Sequence, residues 1–118
     1  MIKLGTIATI LEADFLTGEE FYDREFLYCR GSDLMSDVLA QFADGSMFLT
    51  GLATIQVVRT ASVSGAGAIV FVRGKKPRPE VVELAKEEGI PLLATSLSMF
   101  VSCGRLYREG LTGVNGNR

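Results

Sequence analysis

The stretch AIVFVRGKKPRPEVVELAKEEGIPLLATSLS, residues 68–98, decides the fold because it contains a complete strand, loop, helix and second strand. Residues 68–72 form a continuous apolar run, mostly β-branched or aromatic, which is typical of a strand buried on both faces. Pro79 suits the first position of a helix, and Gly89 marks the end of that helix. The apolar residues 92–94 then predict the next strand. This stretch therefore predicts one β–α–β unit of a parallel sheet.

Patterns of the same kind fill the rest of the chain. Apolar residues spaced three and four apart predict amphipathic helices, and short apolar runs bounded by glycine predict strands. Helices are predicted at residues 3–12, from Ser32 or Asp33 through Met35, Val38, Leu39 and Phe42 to Asp44, at residues 53–64, and from Ser96 or Ser98 through Met99, Phe100, Cys103, Leu106 and Tyr107. Further strands are predicted at residues 15–16, 25–30 and 47–50. We therefore expect a single α/β domain, with a mostly parallel sheet of about four to five strands and helices on its faces.

Length and composition are those of an ordinary globular protein. The 118 residues, 47% hydrophobic and 22% charged, suit one domain with a core of its own. We assign residues 1–109 to this domain and residues 110–118, which are rich in glycine and asparagine, to a flexible tail. Apolar runs end well before the roughly 18 residues that a membrane helix needs, and the first residues lack a signal-peptide pattern. We therefore expect a cytoplasmic protein without a membrane partner.

The charge balance and the missing residue types argue against several functions. A formal net charge of −2 argues against nucleic acid as a partner. The sequence has no histidine, which removes the usual general base near neutral pH, the histidine-dependent nucleophiles and the commonest zinc ligand. Cys29 and Cys103 lie far apart in apolar surroundings and are interpreted as reduced core thiols. We therefore predict no enzyme activity, no metal site and no cofactor.

The loops that follow the predicted strands carry the candidate binding residues. In a parallel sheet these loops meet at one edge, where ligands bind in such folds. They offer glycines for close backbone approach, hydroxyl groups and cationic side chains, which together suit an anion or phosphate. With one arginine from the helix at residues 53–64, the candidate ligand contacts are Gly31, Ser32, Asp33, Thr50, Gly51, Arg59, Arg73, Gly74, Lys75, Thr95 and Ser96. The alternative is structural, with the serines and Asp33 capping helices and the lysines lying in water.

Phosphate and metal motifs of the familiar kinds are incomplete in this chain. Gly74-Lys75-Lys76 resembles the end of a P-loop, but Ile69 stands where the first glycine is needed and Lys76 replaces the magnesium-binding hydroxyl. Nucleotide hydrolysis is therefore not supported. Asp33 and Asp37, four residues apart, could share one helix face and bind a metal, although a helix cap with an exposed polar face is the preferred explanation.

The chain resembles the DRTGG domain, in particular the small stand-alone DRTGG proteins. The residues that carry the resemblance are 31–38 (GSDLMSDV), 49–52 (LTGL), 56–61 (QVVRTA), 68–77 (AIVFVRGKKP) and 88–95 (EGIPLLAT). The last of these is also similar to the amino-terminal, non-catalytic domain of HPr kinase/phosphorylase. The motif that names the family is not intact, and Asp23-Arg24-Glu25 is its nearest trace. The resemblance implies an α/β regulatory or ligand-sensing module that often forms dimers, with no catalytic residues to carry over.

The residues and the resemblance together lead to two functional hypotheses. The first is a non-catalytic regulatory module, a homodimer that senses a small anionic metabolite or nucleotide at the loop edge of the sheet. The second is a ligand-free accessory subunit that binds a protein of a redox, hydrogenase-type or energy-metabolism complex, as the resemblance implies. The apolar helix faces are expected to form the core, with part of this surface left for a dimer contact.

Overall fold

The computed structural model describes residues 1–36 and 44–113. The strands in these residues are β1 (Ile2–Lys3), β2 (Asp14–Thr17), β3 (Glu25–Phe26), β4 (Tyr28–Gly31), β5 (Met47–Thr50), β6 (Ala68–Phe71), β7 (Leu92–Ala94) and β8 (Thr112–Gly113). The helices are α1 (Leu4–Ile10), α2 (Ile55–Ser64), α3 (Pro79–Glu87) and α4 (Met99–Arg108), with a short 3₁₀ helix at Glu19–Phe21. Met35 and Ser36 are also helical. The predictions at Asp37, Val38, Leu39 and Phe42 lie outside the described residues.

The main sheet within the described part of the chain has six strands in the order β2-β7-β6-β5-β4-β8. The neighbours β7, β6, β5, β4 and β8 are all parallel, and only β2 is antiparallel, paired with β7 through Asp14 and Ala94. Strands β1 and β3 form a separate antiparallel pair. The predicted fold class, a single α/β domain with a mostly parallel sheet and helices on its faces, is confirmed. The sheet has six strands in the described residues rather than about four to five, because β8 lies in the segment that was expected to be a tail.

The central strands are buried on both faces. Within β5, Met47 and Leu49 belong to a core shared with α1 and α4, whereas Phe48 belongs to a second core shared with α2 and α3. The same alternation continues through β6 and β7, so these short strands consist almost wholly of apolar residues. This two-sided burial confirms the interpretation of residues 68–72 as a strand covered on both sides.

Local sequence signals set the ends of α3 as predicted. Pro79 occupies the first position of the helix. Gly89 follows the helix with a φ of +68°, and the Ile90 amide donates to the Ala85 carbonyl at 2.9 Å. The Gly89 amide donates to the Lys86 carbonyl, which completes a Schellman motif. The chain therefore turns directly from α3 into β7.

Helix α4 carries the chain from β7 back across the sheet to β8. Helices α2 and α3 connect the neighbouring strands β5, β6 and β7 in sequence and pack in one core, whereas α4 packs in the other. Connections between parallel strands are right-handed. The connection from β7 to β8 crosses the sheet in the opposite direction to those from β5 to β6 and from β6 to β7, so its helix lies on the opposite face of the sheet. Leu111 is buried and Thr112–Gly113 pair with β4, so the folded part continues beyond the boundary expected at residue 109. Residues 114–118 lie outside the described ones.

Two details differ from the expectations. The single strand predicted at residues 25–30 is divided, because Glu25–Phe26 pair with β1 while Tyr28–Gly31 join the main sheet. The prediction that Phe100 and Tyr107 lie in the core is wrong, since Phe100 is 86% and Tyr107 51% exposed. Helix α4 turns Ser102 and Leu106 inward instead. Across residues 1–36 and 44–113, no helix is both long and apolar enough to cross a membrane.

Candidate functional site

The loops after β4, β5, β6 and β7 meet at the carboxyl edge of the sheet, as the parallel topology requires. Backbone hydrogen bonds connect them across the strand ends. The Ser32 amide donates to the Leu49 carbonyl at 3.0 Å, and the Val72 amide donates to the Thr50 carbonyl at 2.9 Å. These bonds hold the backbone of the loops in fixed relative positions.

The loops after β6 and β7 diverge to opposite faces of the sheet. The loop after β6 leads into α3, and the loop after β7 leads into α4, which packs in the other core. Neighbouring strands with this property form the crevice in which open α/β sheets usually bind ligands. Here the crevice is bridged by two hydrogen bonds, from the Gly74 amide to the Thr95 carbonyl at 2.9 Å and from the Arg73 amide to the Leu97 carbonyl at 2.8 Å.

Asp33 lies at the centre of a cluster of donors from the other loops. One carboxylate oxygen, Oδ1, accepts from the Gly51 amide at 2.7 Å and from the Thr50 hydroxyl at 3.1 Å. The other, Oδ2, lies 3.4 Å from Nη2 of Arg73. Asp33 was predicted either to cap the helix that follows it or to contact a ligand, but its carboxylate is directed at the loops after β5 and β6. The helix-cap prediction for Asp33 is therefore wrong.

The electrostatics of this cluster favour the ionised carboxylate. The hydrogen bond from the Gly51 amide holds the pKa of Asp33 below its ordinary value, and the Thr50 hydroxyl and the Arg73 guanidinium act in the same direction. Partial burial opposes them. The Asp33 and Arg73 side chains are 42% and 44% exposed, so the cluster is open to solvent and solutes.

Arg73 adopts a backbone conformation that is uncommon for a residue with a side chain. Its φ is +60°, that of Gly74 is +70°, and the Lys75 amide donates to the Val72 carbonyl at 3.3 Å. Positive φ at both central residues is the pattern of a type I′ turn, in which arginine is rare. The turn places the guanidinium over the backbone of Gly51, where a Cβ atom would collide with it.

The loop that begins at Arg73 is strongly basic. It reads Arg73-Gly74-Lys75-Lys76-Pro77-Arg78, and all four cationic residues are exposed. In the part of the chain that the structure describes, no hydrogen bond or ion pair engages the Lys75 side chain. Lys76 and Arg78 were not among the predicted contacts, although their position beside Arg73 in the sequence was a sufficient signal. The loop concentrates positive charge at this edge of a protein with a net charge of −2.

Several of the other predicted contacts have structural roles. The Thr95 hydroxyl donates to the Leu11 carbonyl at 2.6 Å and accepts from the Leu97 amide, so it connects α1 to the loop edge. The Ser32 hydroxyl accepts from the Leu34 amide at 2.9 Å, in a local turn. A Cβ atom on Gly31 would lie 2.7 Å from the Met99 sulfur, so a larger residue there would have to displace the Met99 side chain of α4.

The remaining predicted residues are exposed. Ser96 lies in the loop after β7. Ser98 caps α4 by accepting a hydrogen bond from the Val101 amide at 3.2 Å. Of the two predicted caps, Ser96 and Ser98, the second is therefore confirmed. Arg59 lies in the middle of α2, and no hydrogen bond or ion pair among the described residues connects it to the loop edge. No group of three or more described carboxylates or thiols is arranged to hold a metal ion, and Asp37 lies outside the described residues.

A second surface, which the sequence did not predict, is a groove between α4 and the edge of the sheet formed by β4 and β8. Its volume is about 380 Å³, and its lining is largely apolar: Cys29, Arg30, Gly31, Phe100, Cys103, Gly104, Leu106, Tyr107, Leu111, Thr112 and Gly113. Cys29 and Cys103 are free thiols. Burial raises the pKa of both, and for Cys29 the neighbouring Cys103 adds to the effect. Neither thiol is therefore activated as a nucleophile.

Comparisons with known proteins agree with this architecture. No curated protein sequence matches the chain. Among solved structures, the CBS and DRTGG domains of the regulatory region of Clostridium perfringens pyrophosphatase, in complex with the activator diadenosine tetraphosphate, are similar with a TM-score of 0.74 and 18% sequence identity. The match covers 96% of this chain and 51% of that one, so the chain spans about half the length of its structural relative. The family profile of the DRTGG domain matches residues 6–108, and the chain therefore belongs to the DRTGG domain family.

Proposed function

We propose that this DRTGG domain is a non-catalytic regulatory module that senses a small anionic metabolite or nucleotide at the carboxyl edge of its sheet. The observation that carries the proposal is the position of Arg73, whose guanidinium is held by a turn of positive φ beside Gly51 and Asp33 while remaining 44% exposed. Lys75, Lys76 and Arg78 extend the positive charge along the same loop. A positive surface with a fixed guanidinium suits carboxylate or phosphate groups.

Two further observations support a nucleotide as the ligand. The similar regulatory region of the clostridial pyrophosphatase is in complex with a nucleotide activator, diadenosine tetraphosphate. The crevice between the loops after β6 and β7 is the usual position of nucleotides in open α/β sheets.

The proposal is tested by a melting-temperature screen of the purified protein. Adenine and guanine nucleotides, dinucleoside polyphosphates, acetyl phosphate and phosphate are compared. A ligand at about 100 times its dissociation constant adds about 2.7 kcal/mol to the free energy of unfolding, which raises the melting temperature by several degrees.

Variants locate the response within the molecule. Arg73→Asn removes the guanidinium but keeps a residue that tolerates positive φ, and Lys75→Ala removes the neighbouring ammonium group. Both should reduce the shift. Lys86→Ala is the matched control, because Lys86 is exposed at the other end of α3, and it should leave the shift unchanged. A shift that survives both loop variants would place the ligand elsewhere, and a screen without any shift would refute the sensor.

We also propose that the module is a homodimer that associates through α4. Phe100, Val101 and Tyr107 on this helix are large exposed hydrophobic residues. Such a cluster is unusual on the surface of a monomer. Phe100→Ser should shift sedimentation towards the monomer. Val63→Ser, which changes an exposed apolar residue of α2, should leave the sedimentation of the protein unchanged.

The same surface favours a second candidate function, an accessory subunit that binds another protein of a redox or energy-metabolism complex without any ligand. An apolar groove beside exposed aromatic residues suits a protein partner. A monomeric protein that shows no melting shift with anions, and that retains a stoichiometric partner which Phe100→Ser releases, would favour this function over the sensor.

A further inference from the structure

The donors that an anion needs at the loop edge are already occupied by a carboxylate of the same chain. The Gly51 amide, the Thr50 hydroxyl and the Arg73 guanidinium come from two different loops and converge on Asp33, at 2.7, 3.1 and 3.4 Å. A backbone amide, a hydroxyl and a guanidinium directed at one point form a typical anion site. Asp33 therefore occupies the position of an anionic ligand.

Several other backbone donors of the edge have structural partners. The amides of Val72, Arg73 and Gly74 donate to carbonyl groups of the neighbouring loops, and the Leu97 amide donates to the Thr95 hydroxyl. These bonds hold the loops together without any contribution from Asp33. An incoming anion that left the loop backbone intact would take the donors around Asp33, because those donors are the ones bound to an exchangeable side chain.

Asp33 can leave this position at a modest cost. Its side chain is 42% exposed, so the carboxylate can turn into water and be hydrated there. The three donors that it releases belong to Gly51, which is buried, to Thr50, which is buried, and to Arg73, whose amide donates to the Leu97 carbonyl. The donor set therefore persists when the carboxylate moves away.

We propose that Asp33 is an internal competitor that determines which anions this site accepts. The inference rests on the proposed sensor function and adds the class of ligand. A carboxylate held beside its donors competes with an effective concentration on the order of millimolar or more, so a free monocarboxylate gains little by replacing it. A phosphate group carries close to two charges at neutral pH and three acceptor oxygens. The ligand therefore carries a phosphate or polyphosphate group, and monocarboxylates are rejected.

The experiment compares the binding of inorganic pyrophosphate and acetate by isothermal titration calorimetry. Asp33→Asn keeps the shape of the side chain but replaces the charged competitor with a neutral, weaker acceptor. We expect pyrophosphate to bind this variant at least tenfold more tightly than the wild type, and acetate to bind the wild type too weakly to measure. Glu20→Gln is the matched control for the loss of one negative charge. Glu20 follows β2, which is antiparallel to β7, so it lies at the amino ends of the parallel strands, away from Asp33. Its affinity for pyrophosphate should equal that of the wild type.

A second comparison separates competition from a general change of charge. Thr50→Val removes a hydroxyl donor that Asp33 and the ligand use in turn. In the wild-type background, loss of the hydroxyl weakens the hydrogen bonding of Asp33 and of pyrophosphate by similar amounts. The affinity for pyrophosphate should therefore change less than twofold. In the Asp33→Asn background we expect the affinity to fall by about tenfold or more, which corresponds to the loss of one hydrogen bond to a charged group. Equal effects in the two backgrounds would overturn the inference.

The remaining outcomes distinguish the inference from the function on which it rests. If the wild type binds pyrophosphate and Asp33→Asn binds it no more tightly, the competitor is refuted while the sensor stands. If neither protein binds pyrophosphate and the melting-temperature screen shows no shift with any anion, both are refuted. Should Asp33→Asn fail to fold, nuclear magnetic resonance of the wild type decides, because pyrophosphate must then shift the Gly51 amide and the Asp33 carboxyl carbon together. A shift of neither resonance on binding overturns the inference.

Discussion

The guanidinium of Arg73 lies directly over the Cα of Gly51, in the space that the Cβ of any other residue would occupy. The contact joins the end of β5 to the turn after β6. It also fixes the guanidinium beside Asp33, which accepts from the amide of that same glycine. The space beside Gly51 is therefore limited by the arginine side chain rather than by the backbone of the loop.

Replacing this glycine by alanine should displace the arginine. In Gly51→Ala we expect the new Cβ to push the guanidinium outward and to break its contact with Asp33. Because the guanidinium is the flexible end of a half-exposed side chain, the free energy of unfolding should fall by no more than about 1 kcal/mol. Urea denaturation measures this change. A loss above about 2 kcal/mol would mean that the backbone of the loop has to move as well.

The stability of the protein should depend on pH through Asp33. Its pKa is lowered in the folded protein, so the unfolded chain binds more protons in the range between the folded value and the unfolded value of about 3.9. Stability therefore rises with pH across that range. Wild type should exceed Asp33→Asn by about 1 kcal/mol at pH 7, an estimate reduced for the exposure of the pair.

The same comparison at low pH provides the check. As pH falls through the folded pKa of Asp33, the wild-type carboxylate becomes neutral and the advantage over Asp33→Asn should disappear. Urea denaturation at pH 7 and near pH 3 measures the difference, with Glu20→Gln as the control variant. A difference that stays constant over this range would show that charge is not what Asp33 contributes.

Gly18 is required where the chain leaves β2. Its φ is +82°, and a Cβ atom there would lie 2.5 Å from the Cα of Pro91, a backbone atom that cannot turn aside. Gly18→Ala should therefore cost about 2–4 kcal/mol, from strain and overpacking together. Gly104→Ala is the control, since that glycine lies within α4 with open space around it and alanine favours helix by up to about 1 kcal/mol. Thermal unfolding of the two variants measures the difference in stability. A small loss of stability in Gly18→Ala would show that β2 and β7 can separate locally.

Replacing Ser98 or Ser102, both in or next to α4, by alanine should change the stability of the protein in opposite directions. The Ser102 hydroxyl is fully buried in α4 and has no hydrogen-bond partner among the described residues, so Ser102→Ala should stabilise the protein by about 1 kcal/mol. The Ser98 hydroxyl accepts from the Val101 amide at the start of α4, so Ser98→Ala should cost about 1 kcal/mol. Chemical denaturation of both variants tests the pair. Destabilisation by Ser102→Ala would reveal a partner for its hydroxyl.

The unit at residues 68–98 could be predicted from the sequence because each of its boundaries depends on neighbouring residues. Pro79 and Gly89 set the limits of α3 through their own backbone preferences. The strands β6 and β7 are apolar on both faces, which identifies them without knowledge of their partners. The class of the fold followed from these local signals repeated along the chain.

The site was only partly predictable because its bonds join distant residues. The sequence pattern around Asp33 is that of a helix cap, but the carboxylate bonds to Gly51, eighteen residues further along. Gly74 alone is enough to predict a turn after β6. The sequence therefore gives no signal that Arg73 also has a positive φ. The spacing of the apolar residues in α4 predicted that Phe100 lies on the core face of the helix. In the structure no described element covers it.

The order of the strands has a consequence for how the chain assembles. Strands β5, β6 and β7 are joined in sequence through single helices, so each pairing closes only a short loop. The outer pairings instead join Asp14 to Ala94 and Tyr28 to Thr112, and neither can form until nearly the whole chain has been brought together. Contacts between such distant residues form slowly. Pulsed hydrogen exchange during refolding should therefore protect the amides of β6 before those of β2, and the chain should fold from its middle outward.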